Sequence, residues 1–126
     1  MNEHEMQVVA IVDDDGSLRR SVRNLLTSVG FRVVTFDSAD AFLQSSQRPN
    51  TGCMVLDLRM PGMDGLELLK HLATIDSRIP AVILTAHGDE KARQRTMEAG
   101  AIAFITKPFH ADALLDAVKA AMAHSG

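Results

Sequence analysis

The 126-residue chain has one cysteine, no tryptophan, no tyrosine and only four prolines. A single cysteine, Cys53, excludes an intrachain disulfide and fits a reducing compartment. No apolar run approaches the ~20 residues of a membrane span. The opening, MNEHEMQ, is polar and acidic, unlike a secretory leader. The expectation is a cytoplasmic protein with no membrane partner. Basic excess is also missing: 13 Lys and Arg face 16 Asp and Glu, a net charge of −3. With no long basic stripe on any helix, direct nucleic-acid binding by this chain is not expected. Apolar residues, in contrast, make up 46%. A chain of this length and composition can build the core of one domain without staples.

Repeats, low-complexity tracts and linkers are absent as well. Apolar runs alternate with helical patterns. VVAIV (8–12) is the first expected strand. Leu18, Val22, Leu25, Leu26 and Val29 share one helical face, and Gly30 is a C-terminal stop. FRVVTF (31–36) is a second, less apolar strand nearer an edge. Ser38 can cap a short helix that buries Ala39, Phe42 and Leu43. CMVL (53–56) is the third strand. Asp64 and Glu67 form a capping-box pattern that opens a helix with Leu66, Leu69, Leu72 and Ala73 inward. AVILT (81–85) is the fourth strand, followed by a polar helix over about 89–99. AIAFI (101–105) is the fifth, and Ala111, Leu114, Leu115, Val118 and Met122 stripe a final helix. Strict β–α alternation predicts one α/β domain over 1–126, with a core of about 7–123. Its sheet is parallel, doubly wound and five-stranded, in the order 2-1-3-4-5, with helices on both faces. Ligands of such sheets bind beyond the carboxyl ends of the strands.

The third strand raises a question at that rim. CMVL is apolar enough to be buried on both faces, yet it runs straight into Asp57. Burying a lone carboxylate is costly unless something pairs with it. Either Asp57 caps a turn before Pro61-Gly62, or a cation meets it. The other strand ends bear on the choice. Strand 1 ends in Asp13, Asp14 and Asp15, strand 4 in Thr85, and strand 5 in Thr106, Lys107 and Pro108. Hard oxygen donors without His or Cys favour Mg²⁺, which keeps waters and takes remaining ligands from a phosphate. Lys107 offers a point charge to such a phosphate and Thr85 a hydrogen bond.

Asp13-Asp14, Asp57, Thr85 and Lys107-Pro108, on those strand ends, resemble the receiver domain of two-component response regulators. The resemblance covers Val8 to Met122. LDLRMPGMDGLELL (56–69) and TAHGD (85–89) look like the FixJ-like subfamily. The resemblance implies that Asp57 accepts a phosphoryl group from a phosphohistidine of a partner sensor histidine kinase. It implies Mg²⁺ held by Asp14, Asp57 and the backbone carbonyl of Arg59, with Asp13 acting through water. Lys107 then pairs with Asp57 and later with phosphoryl oxygens, across a cis Lys107–Pro108 bond. Thr85 and Phe104 become the switch pair, and Arg59 and His87 tune the lifetime of the phosphoryl-aspartate. Such a domain is no enzyme beyond its own phosphoryl transfer and autodephosphorylation. The weakly apolar helix over 89–99, with strand 5 and the last helix, is the expected output face and the site of a phosphorylation-linked homodimer. FixJ-like regulators control transcription through a C-terminal helix-turn-helix domain. The ending AMAHSG reads as the start of a linker, so a chain cut before that domain is expected rather than a stand-alone receiver.

Plainer readings stand beside these. Asp15 reads as a helix cap with no ligand role. Cys53 reads as a buried hydrophobe, and Phe104 could be core packing alone. His4, His71, His110 and His124 show no metal-like spacing. A Mg²⁺-dependent phosphohydrolase would want a second Asp where Arg59 stands. A flavin binder would not place the acidic DDDGS in its phosphate loop. A degenerate receiver, acting only as an interaction module, would lack one of the key residues, and none is missing.

Overall fold

The computed structural model describes residues 7–75, 79–86 and 88–125. Strands β1 (Val8–Val12), β2 (Val33–Phe36), β3 (Thr51–Leu56), β4 (Ala81–Thr85) and β5 (Ala103–Thr106) alternate with five helices. These are α1 (Gly16–Ser28), α2 (Ala39–Leu43), α3 (Gly65–Thr74), α4 (Glu90–Glu98) and α5 (Ala111–Ser125). A 3-10 turn, Arg48–Asn50, leads into β3. All neighbouring strands are parallel, in the order β2-β1-β3-β4-β5. The expected doubly wound architecture is the one found.

β1, β3 and β4 are buried at every residue, which is why their sequences run apolar without alternation. On one face Val9, Ile11 and Val55 pack with Val22 and Leu26 of α1 and Leu114 and Val118 of α5. On the other, Val12, Met54 and Leu56 pack with Phe42 of α2 and Leu68 and Leu72 of α3. β2 and β5 are the sheet edges and only half-buried, as the weaker apolar content of 31–36 suggested.

Caps fix where the helices begin. Asp15 accepts from the amides of Ser17 and Leu18, at 3.0 and 3.2 Å. Ser38 accepts from Ala41 N at 3.1 Å. Asp64 and Glu67 form the full capping box, with bonds of 2.8 and 3.1 Å.

Four expectations need correction. Ala111, expected in the apolar stripe of α5, is exposed. Val29 is 47% exposed, because α1 ends at Ser28 and Val29 is its C-cap. Ala73 is exposed, and Leu66 only half-buried. The inward stripe of α3 is Gly65, Leu68, Leu69 and Leu72, an i, i+3, i+4, i+7 pattern that excludes 66 and 73. Finally, β2 and β5 each start two residues later than expected.

Candidate functional site

β1 and β3 lie side by side at the centre of the sheet, with Val12 opposite Leu56. The next residue on each strand therefore emerges at the same rim, and these are Asp13 and Asp57. The Asp57 amide donates to Val12 O at 3.0 Å, and the Asp13 amide to Phe36 O at 3.1 Å. These backbone bonds hold both residues in a largely buried place, 3% and 7% exposed. Asp14 follows on the exposed side. One oxygen from each of Asp13, Asp14 and Asp57 lies within 4.8 Å of the others.

Asp13 has defined partners. Its Oδ1 accepts from the Asp15 amide at 2.9 Å, and its Oδ2 stands 3.3 Å from Lys107 Nζ. Its own carbonyl accepts from Arg19 Nη1 at 2.6 Å. Asp57 differs: its Oδ1 is buried and accepts no hydrogen bond from any described residue. The resemblance implied that Lys107 pairs with Asp57, but in this structure the ammonium stands on Asp13. With Oδ1 taken by the Asp15 amide, Oδ2 is the free acceptor. Burial pushes the Asp13 carboxyl above its ordinary value, and the charge of Asp57 adds to this; the Asp15 amide and Lys107 pull the other way.

Lys107 is placed by β5 and by its own amide, which donates to Thr85 O at 2.9 Å. The Lys107–Pro108 bond is cis, as expected. Thr85 ends β4 fully buried, opposite Thr106 in the register. Phe104 is half-buried on β5, packed at the margin of the α2–α3 core. Its ring lies against Gly88, where an added Cβ would stand 2.8 Å from Cε1. The Arg59 side chain is exposed and lines a cleft of about 280 Å³ with Asp64, Asp89, Lys91 and Arg95. His87 and His4 lie outside the described residues, as does the side chain of His124. His71 and His110 are exposed and not part of the carboxylate cluster. Cys53 is buried and its thiol is pushed up to about 12 by burial, so it is chemically inert.

The donors at this rim are carboxylates only, close together and partly unpartnered. That set fits Mg²⁺ and fits soft metals poorly. Sequence reasoning missed Arg19, whose guanidinium ties α1 to the Asp13 carbonyl. It also missed Gly65, which opens α3 against the Asp57 backbone. A glycine directly after a cap is no specific signal for the second, since α1 also opens on one, Gly16.

A doubly wound parallel sheet thus carries three carboxylates and a lysine at its carboxyl rim. The response regulator receiver domain model matches residues 9–119, and the chain belongs to that family. Nodulation protein W of Bradyrhizobium diazoefficiens is 47% identical over 114 residues, covering 90% of this chain and 50% of the relative. The transcriptional regulatory protein FixJ of the same organism is 42% identical over 114 residues, covering 90% and 56%. The solved structure of FixJ-N superposes with a TM-score of 0.84 at 41% identity, covering 94% of each chain. The FixJ-like resemblance is thereby borne out. The chain spans about half the length of these curated relatives. Receiver domains of this family are signalling modules rather than classical enzymes. They bind Mg²⁺ at the acidic pocket and are phosphorylated by histidine kinases; many act on transcription. No helix among the described residues is long and apolar enough to cross a membrane.

Proposed function

We propose that this chain is the phosphoacceptor of a two-component pathway, with Asp57 taking the phosphoryl group from a sensor histidine kinase. The observation that carries the reading is the state of Asp57. It is a buried carboxylate directly after a central strand, with one oxygen unpartnered, beside two further carboxylates. An unsatisfied buried polar atom costs on the order of 1–3 kcal/mol. A fold that keeps one at this rim keeps it for an incoming group.

A carboxylate oxygen of Asp57 attacks the phosphorus of the phosphohistidine. The P–N bond breaks, and its electron pair stays on the imidazole nitrogen, which takes up a proton. The product is an acyl phosphate on Asp57. Asp14, Asp57 and the Arg59 carbonyl would hold Mg²⁺, with Asp13 acting through water. When bound, the ion offsets the negative charge gathered as phosphate meets carboxylates. Lys107 releases Asp13 to meet the phosphoryl oxygens, and Thr85 gives them a hydroxyl. Phe104 follows Thr85 inward, away from Gly88. Arg59 and His87 tune how long the acyl phosphate lasts. The α4–β5–α5 face then carries the output, a homodimer included, and acts on transcription through a C-terminal domain of the longer protein. Residues 7–123 are the receiver core.

Intact mass tests this directly. After incubation with Mg²⁺ and a small acyl phosphate, wild type is expected to gain one labile phosphoryl group. Asp57→Asn, or wild type without Mg²⁺, is expected to gain none. No adduct under any condition would turn the function toward a phosphorylation-independent interaction module.

A further inference from the structure

Gly65 is the first residue of α3 and is buried. A Cβ built there would overlap the Asp57 carbonyl oxygen. It would also stand 3.0 Å from Leu58 Cα and 3.1 Å from the Asp57 carbonyl carbon. These three neighbours are backbone atoms, which no rotamer change can clear. The Gly65 amide donates to Leu58 O at 2.9 Å, which draws the two segments together. The capping box of Asp64 and Glu67 holds the helix end rigid behind that contact. The start of α3 is thus seated on the backbone of Asp57 and Leu58, with hydrogen bonding pulling inward and a hard steric limit set by glycine.

We propose that Gly65 is a positioning residue for the phosphoacceptor. Through this contact it sets where the Asp57 carboxylate and the Arg59 carbonyl stand relative to Asp13 and Asp14. The inference rests on the reading of the rim as a Mg²⁺ and phosphoryl site. Adding one methyl group must displace either the Asp57–Leu58 segment or the helix end. A misplacement of about 1 Å in such a site costs about 10²-fold in rate.

The test compares Gly65→Ala with Leu72→Ala, a cavity-forming change further along the same helix. Mg²⁺ affinity is read by titrating the amide resonances of Asp14, Asp57 and Arg59. Phosphorylation rate by a small acyl phosphate and Tm are read alongside. Gly65→Ala is expected to weaken Mg²⁺ binding about 10-fold and slow phosphorylation about 10- to 100-fold. Leu72→Ala is expected to lower Tm with both site readouts unchanged. Should Gly65→Ala not fold, Asp64→Ala loosens the same helix end without adding volume, and a loss of Mg²⁺ affinity is again expected. The proposal is overturned if Gly65→Ala, or Asp64→Ala in its place, lowers Tm but leaves Mg²⁺ affinity at the wild-type value. If wild type takes up no phosphoryl group, the proposed function fails, while the Mg²⁺ arm still reads the positioning.

Discussion

At the scale of single residues, the rim sets stability against binding. Asp13 and Asp57 are like charges in a mostly buried place, and Lys107 offsets only part of this. The pKa of Asp13 is raised, chiefly by burial. A carboxyl raised by folding contributes stability that is fully present below its unfolded value and is lost as pH rises through the folded one. Asp13→Asn keeps the side-chain oxygen that accepts from Asp15 N while removing the charge. In chelator, it is expected to raise stability at neutral pH by about 1 kcal/mol, or roughly 3–5 °C in Tm. The gain should vanish below the ordinary value of 3.8. The same change is expected to weaken Mg²⁺ binding, and Mg²⁺ should raise the Tm of wild type more than that of the variant. Thermal melts of both proteins across acid to neutral pH, with chelator and then with Mg²⁺, check the two signs. A lower Tm for Asp13→Asn in chelator at neutral pH would contradict the charge argument.

At the scale of elements, α4 is the weakly anchored one. Thr96 is its one buried residue, and the Thr96 hydroxyl bonds to the α4 carbonyls of Ala92 and Arg93, both at 3.0 Å. Elements with little buried apolar surface open at low cost and are the ones a local charge change can bias. Phosphorylation of Asp57 is therefore expected to change amide hydrogen exchange over 89–105 by several-fold, while β1 and β3 stay protected. Unchanged protection over 89–105 would remove α4 and β5 from the output.

Element order and type were legible because central strands of a doubly wound sheet run apolar and the first four helices each open on a side-chain cap. The late starts of β2 and β5 were less so, and they share one cause. Gly30 and Gly100 take positive φ, 100° and 107°, and close α1 and α4 in the same way. The amides of Phe31 and Ala101 turn back to Leu26 O and Thr96 O, at 3.2 and 3.0 Å. The apolar residue after each glycine finishes a helix rather than starting a strand, although its composition is that of the strand it precedes. At the rim, residue types and strand ends showed which groups gather. They did not show which carboxylate Lys107 meets, because that depends on the Asp15 amide occupying one oxygen of Asp13. Nor did they show Gly65, since a backbone contact between a helix start and a strand end leaves no pattern in spacing.

For the whole molecule, the question is how a change at one rim reaches another chain. The exposed side of α4 carries Lys91, Arg93 and Arg95 beside Glu90 and Glu98, with Arg93 3.7 Å from Glu90, and that of α5 carries Asp112 and Asp116 beside Lys119. Both helices flank the edge strand β5. In a twofold dimer through this face, Lys91 and Arg95 of α4 can meet Asp112 and Asp116 of the partner's α5, and the contact is made twice. A net charge of −3 per chain, made more negative by the phosphoryl group, opposes association at long range. Local complementarity has to outweigh it at short range. Sedimentation with Mg²⁺ and an acyl phosphate is expected to give a dimer for wild type and a monomer for Asp57→Asn. Arg95→Glu should phosphorylate normally yet stay monomeric, which separates the face from the chemistry. Raising salt from about 0.1 to about 1 M shortens screening from about 10 to about 3 Å. If the α4–α5 pairing carries the contact, the dimer weakens over that range. If the long-range repulsion dominates instead, added salt strengthens it, and the sign of that one dependence decides between the two.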